Sequence, residues 1–81
     1  MVDVHLWSGL RRLTGGAEVV SVEATTVGQM LDALVAVHPG LAPIIAGGVA
    51  VAIDGEITTG GRHLPVSDAN EIHLLQQMRG G

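Results

Sequence analysis

Two kinds of residue in this chain could do chemistry, and they lie far apart in the sequence. The first is the closing run Gln76-Gln77-Met78-Arg79-Gly80-Gly81. Glycine packs nothing and loses the most backbone entropy on ordering, so a Gly-Gly pair adds little to a fold. It does make the narrowest possible chain, able to thread into another protein's active site with a terminal carboxylate at its tip. A carboxylate is a poor electrophile until activated. Joined to AMP as a mixed anhydride, it becomes open to attack by a thiol, a sulfide equivalent or an amine. The tail formed by Met78, Arg79, Gly80 and Gly81 therefore reads as a handle for another protein's enzyme.

The second kind is histidine, at positions 5, 38, 63 and 73. These positions have no ligand-type spacing and no cysteine accompanies them, so no metal site is expected. His5 and His73 would approach each other if the terminal strands pair. Together with Trp7 and Leu75 they are the candidate partner-binding residues. No catalytic residue is expected: Ser8, Ser21 and Ser67 lack the local signature of an activated nucleophile. The glycine pairs 15-16, 47-48 and 60-61 match neither a phosphate loop nor a dinucleotide fingerprint, and turns explain them. Asp32 and Glu71 read as solvated charges.

The elements that must position these groups fit in one domain, expected over residues 1–75 with a flexible tail over 76–81. At 81 residues there is no room for a second. Disulfides are excluded, since cysteine is absent, and this suits a reducing, cytoplasmic setting. Apolar residues make up 47 %, ample for a globular core. A formal net charge of −4 argues against nucleic acid bound through its phosphates. The start of the chain lacks a signal-peptide pattern. The longest apolar stretch, LAPIIAGGVAVAI, is about half the length that spans a bilayer, so no membrane partner is expected.

Periodicity gives the order of elements. Val2, Val4 and Leu6 alternate with Asp3, His5 and Trp7, predicting a first strand with one buried face. EVVSVE (18–23) predicts a second, joined to the first by the long connection SGLRRLTGG with Leu10 and Leu13 tucked inward. Val27, Met30, Leu31, Leu34 and His38 form a helical stripe. Thr26 and Gln29 resemble a capping box and Pro39-Gly40 a stop, so a helix is predicted over about 27–38. Residues 41–48 read as a loop or short helical turn. VAVAIDGEIT reads as a hairpin closed by Asp54-Gly55, and EIHLLQ (71–76) as a last strand with His73 and Leu75 facing opposite to Ile72 and Leu74. The predicted class is α+β: a β-grasp, ubiquitin-like mixed sheet of about five strands, the first and last adjacent, with one main helix on one face. The predicted core is Val2, Val4, Leu6, Val20, Val22, Val27, Leu31, Leu34, Val51, Ile53, Ile72 and Leu74.

With these residues in view, the whole chain resembles the MoaD/ThiS family of ubiquitin-like sulfur carrier proteins. VHLWSGLRRLTG is similar to the family's opening strand and turn, TTVGQMLDALVAVHPGL to its helix, VAIDGEI to its hairpin, and NEIHLL with the Gly-Gly ending to its last strand and tail. The resemblance implies that Gly81 is adenylated by a ubiquitin-activating-type adenylyltransferase using ATP. A sulfur donor enzyme then converts it to a thiocarboxylate, which passes sulfur to an acceptor enzyme. No intrinsic cofactor is implied. The opening LWSGLRRLTG points first to the molybdopterin synthase large subunit as acceptor. Gln76-Gln77-Met78-Arg79 departs from the Pro-Pro-Val-Ala-like stretch of such carriers, and Asp68-Ala69-Asn70-Glu71 from their Asp-Gly-Asp-Glu turn. Carriers for cysteine, thiamine or a secondary metabolite are therefore alternatives. A further alternative is a protein modifier, because Arg79-Gly80-Gly81 resembles the ending of ubiquitin. The absence of lysine rules out lysine-linked chains of the protein itself.

Overall fold

The computed structural model describes residues 1–58 and 61–76. Among these residues five strands form one mixed sheet: β1 (Val2–His5), β2 (Val19–Val22), β3 (Val49–Ile53), β4 (Glu56–Thr58) and β5 (Ile72–Gln76). Their spatial order is β2-β1-β5-β3-β4. β1 and β5 run parallel at the centre, with Val4 beside Ile72 and His5 beside His73. The outer pairs are antiparallel. Helix α1 (Val27–Val37) lies on one face, and a short helix α2 (Ala42–Ala46) follows it after a 3₁₀ turn. The arrangement is the expected β-grasp.

Strand alternation decides which face the helix covers. Val2, Val4, Val20, Val22, Val51, Ile72 and Leu74 are all buried beneath α1, which contributes Val27, Met30, Leu31 and Leu34. Burying such side chains contributes about 1.5–3 kcal/mol each, the dominant favourable term for a chain this short. Two core residues that the pattern did not foresee lie outside the strands and α1: Leu41 is 0 % exposed and Val66 5 %. Ile53 differs from the expectation and is only partly buried. It closes β3 beside the exposed Asp54-Gly55 turn.

Helix α1 starts where its free amides find partners, as every helix start must. Thr26 caps it, its hydroxyl accepting from the Gln29 amide at 3.2 Å. Gln29 reaches back one residue further than a simple capping box, its Oε1 accepting from the Thr25 amide at 2.9 Å. The segment 61–66 supplies the rest: Val27 N–H donates to the Leu64 carbonyl at 2.9 Å and Gly28 N–H to the Arg62 carbonyl at 2.8 Å. So close an approach requires glycine at 28, since a Cβ there would lie 3.0 Å from Arg62 Cβ and 3.1 Å from its carbonyl oxygen. Arg62 then turns its guanidinium onto both carboxylate oxygens of Asp32, at 2.9 and 2.8 Å. Asp32 is thus paired, and with its side chain 71 % exposed it remains the solvated charge that the sequence suggested.

The long β1–β2 connection is also ordered. Ser8–Leu13 form a 3₁₀ turn that buries Leu10 and leaves Leu13 partly covered. Thr14 is buried behind it, and its hydroxyl donates to the Ala17 carbonyl at 3.0 Å.

Candidate functional site: the open sheet face and the root of the tail

The face away from α1 is uncovered. The register sets His5 beside His73, Leu75 opposite Ala50 and His73 opposite Ala52, with Ile57 paired across to Ala52. The two imidazoles stack, with ring centroids 4.5 Å apart and planes inclined by 17°. Glu71 stands two residues before His73 on the same side, its Oε1 3.1 Å from His73 Nε2. Ile57 is 64 % exposed and Leu75 half-buried, so the patch is apolar with a histidine pair within it. Apolar residues clustered on an open sheet are the usual mark of a contact surface.

β5 delivers the tail to this region. It runs through Gln76, which pairs with Val49, where the predicted last strand also ends. Gln76 lines two depressions at once. One, of about 690 Å³, lies between α1 and the β3–β4 hairpin, where Leu31, Val51, Thr58 and Leu75 also line it. The other, of about 270 Å³, is bounded by Trp7, Pro43, Ile44, Gly47 and Gly48. The root of the tail therefore emerges between two hollows. Met78, Arg79, Gly80 and Gly81 lie outside the described residues.

A polar clasp fixes the start of β5. Asp54 has φ 52° and Gly55 φ 85°, the left-handed pair that a two-residue hairpin turn requires. From this turn Asp54 Oδ1 accepts from the Glu71 amide at 2.8 Å, and Oδ2 accepts from the Asn70 side-chain amide at 2.7 Å. The Asp54 amide in turn donates to the Glu71 carbonyl at 2.8 Å. The Glu71 amide and then the Asn70 side chain hold the Asp54 carboxyl below the usual carboxylate range.

Of the expected partner-binding residues, the structure brings His5, His73 and Leu75 to one face. Trp7 goes elsewhere. Regular strand structure ends at His5, and Trp7 packs against the edge of the core, its indole beside Gly9 where a Cβ would lie 3.0 Å from Nε1. Sequence reasoning passed over Glu71, which it took for a solvated charge, and Ile57. The signal for Ile57 was present: two residues past Asp54-Gly55, it must alternate onto the face opposite Thr58.

Comparison with known proteins adds a family. The chain matches the ThiS family over residues 4–81. Among solved structures it is similar to a chain of the Amycolatopsis orientalis BexX/CysO complex, with a TM-score of 0.85 and 25 % identity over 100 % of both chains. It is also similar to SAMP1 from Haloferax volcanii, with a TM-score of 0.77 and 27 % identity over 99 % of this chain and 98 % of that one. Mycobacterium tuberculosis CysO shares the fold, with a TM-score of 0.83 at 22 % identity over 96 % and 100 %. Among curated proteins, none matches significantly by sequence. Among the described residues no helix is long and apolar enough to cross a membrane.

Proposed function

The chain belongs to the ThiS family, with the β-grasp fold of ubiquitin-like sulfur carriers and modifiers, and on that premise we propose that it is a sulfur carrier whose reacting residue is Gly81. One observation carries this reading: the family match extends through Gly80 and Gly81 as well as over the grasp domain. In the proposed cycle a ubiquitin-activating-type partner joins the Gly81 carboxylate to AMP, and ATP loses pyrophosphate. A sulfide equivalent from a donor enzyme then displaces AMP, leaving a thiocarboxylate. Its sulfur is ionised and nucleophilic at neutral pH, as a low-pKa thiolate is, and it would be the chain's one reactive sulfur, cysteine being absent. The chain supplies no catalytic group of its own. It presents a tip, while the open face with His5, His73 and Leu75, and Trp7 beside the tail's root, give partners a body to hold.

The acceptor follows from what grips the tail. The molybdopterin synthase large subunit is one candidate. The departure at Gln76-Gln77-Met78-Arg79 and the CysO structure crystallised with BexX favour giving equal weight to acceptors that build cysteine, thiamine or a secondary metabolite. A modifier role is the second reading, favoured by the similarity to SAMP1, a small archaeal modifier protein. Intact mass separates the two. After incubation with ATP, an activating enzyme and a sulfur donor, a carrier gains the difference of one oxygen replaced by sulfur, and deletion of Gly81 abolishes the gain without unfolding the protein. Attachment to lysines of other proteins, with no thiocarboxylate formed, would favour the modifier. A truncated chain that still accepted sulfur at the normal rate would remove the tail from the proposal.

A further inference from the structure

The open face, proposed above as a surface for partners, also gathers three side chains with metal-ligating atoms, and neither the carrier nor the modifier reading assigns them a ligand. His5, Glu71 and His73 each offer one ligand atom, and these atoms all lie within 4.8 Å of one another. We propose that these three residues bind a divalent first-row transition cation, with zinc as the ion the set fits, on the sheet face opposite α1.

Topology brings the ligands together. Linear spacing hides the site, since His5 and His73 are 68 positions apart by their numbering. The parallel β1–β5 pairing makes them register partners, and side-chain alternation puts Glu71 on the same face as His73. Tetrahedral zinc with bonds of about 2.0–2.1 Å needs ligand atoms roughly 3.3 Å apart. The Glu71–His73 contact, at 3.1 Å, already has that spacing. The remaining gap closes by side-chain rotation, for which the His73 and Glu71 side chains, 40 % and 67 % exposed, have room.

The backbones beneath are held firmly. β1 is paired on both sides, and the Asp54 clasp fixes Glu71 at both its amide and its carbonyl. A hydrogen bond between Glu71 and His73 alone would account for their contact. The spacing of neighbouring strands, about 4.7–4.9 Å, sets the second imidazole beside the first at 4.5 Å and so brings two nitrogen donors within reach of the one carboxylate. Two imidazoles and one carboxylate suit zinc, cobalt, nickel or copper and are a poor set for magnesium or calcium, which demand more oxygen ligands. Three protein ligands on an exposed surface leave the fourth position to water or to a donor on a bound partner.

The test uses the full untagged chain, titrated near pH 7.5 with zinc chloride by calorimetry and with cobalt chloride by visible absorption. One equivalent should bind, with the cobalt spectrum of a four-coordinate site. Losing an outer-shell partner typically weakens a metal site 10–100-fold, so losing a ligand should weaken it at least about tenfold. His5→Ala and His73→Ala should each do so, while His38→Ala and His63→Ala leave affinity unchanged. Histidine ring signals in the NMR spectrum of the unsubstituted chain give a readout independent of any variant: His5 and His73 should shift with zinc, and His38 and His63 should not. Absence of saturable binding, or binding that survives His5→Ala and His73→Ala, would overturn the proposal, as would zinc shifts confined to His38 or His63.

Discussion

The two faces of this sheet are built from the same strands, residue by residue in alternation, and they hold different kinds of side chain. Toward α1, β5 shows Ile72 and Leu74, 0 % and 2 % exposed. Away from it, the same strand shows His73 and Leu75, each partly exposed, with Glu71 at its head. β1 repeats the division with Val2 and Val4 against Asp3 and His5. The covered face is apolar at every buried strand position and has a helix to lie under. The open face mixes alanines, leucine and isoleucine with a histidine pair, a composition that packs no core but suits contact with another molecule. The buried and the open residues are thus written in alternate letters, and a one-residue slip in register would exchange them.

The sharpest way to break that division is to substitute neighbours on β5. Leu74→Ala should destabilise by about 2–5 kcal/mol, a large share of what a small domain has. Leu75→Glu should cost far less stability, because its side chain is already half in water. If Leu75 is a contact hot spot, Leu75→Glu should instead weaken binding to the activating enzyme or acceptor by about 2 kcal/mol, roughly thirtyfold in Kd. Denaturant midpoints and partner affinities measured for both variants decide the matter. A Leu75→Glu protein that unfolds while its folded fraction binds normally would return Leu75 to the core.

A smaller effect is expected where the covered side meets segment 61–66. Gly→Ala in a helix usually gains up to about 1 kcal/mol. At Gly28 the new Cβ would press on the Arg62 carbonyl that accepts the Gly28 amide, and overpacking of this kind costs about 1–3 kcal/mol. The second effect wins, and Gly28→Ala should lower stability by about 1 kcal/mol net. A rise in thermal midpoint would mean that segment 61–66 gives way freely and does not help to hold α1 on the sheet.

Much of this was legible in the sequence, and the exceptions have physical causes. The strands, α1 and the Asp-Gly hairpin follow from period and turn chemistry, which are local. Leu41 and Val66 were missed because a single apolar residue outside the strands and α1 carries no period. Trp7 was assigned to the open face by extending an alternation that stops two residues earlier. The histidine pair needed the parallel register of β1 and β5 before its geometry meant anything. Nothing local marks Gly28, since only the tertiary approach of Arg62 shows why it lacks a side chain. The tail was read from its chemistry and its family resemblance, and it lies outside the described residues.

The smallest expected effect lies at the edge of the open face. Asp54 is fully exposed, so it lends the molecule little, but its contribution should carry a distinct dependence on pH. Its carboxyl is held below the usual range by the Glu71 amide first and the Asn70 side chain second, with slight burial opposing. A group whose folded pKa is depressed stabilises the fold above its unfolded value, and that stabilisation is lost as pH falls through the folded value. The window is therefore below about pH 4, where an ordinary aspartate titrates. Asp54→Asn removes the charge. Asparagine tolerates the left-handed conformation of the turn as well as aspartate does, and its carbonyl can still accept from the Glu71 amide. Its amide would face that of Asn70, donor to donor, and Asn70 cannot turn over freely because its Oδ1 accepts from the Ser67 amide at 2.8 Å. Asp54→Asn should thus be less stable at neutral pH, and the gap should close as the native carboxylate is protonated in acid. Hydrogen exchange at the Glu71 amide should quicken in the variant at neutral pH. A gap that persists unchanged at pH 2, or an unchanged exchange rate, would show that the clasp holds through the backbone pairing of Asp54 with Glu71 alone.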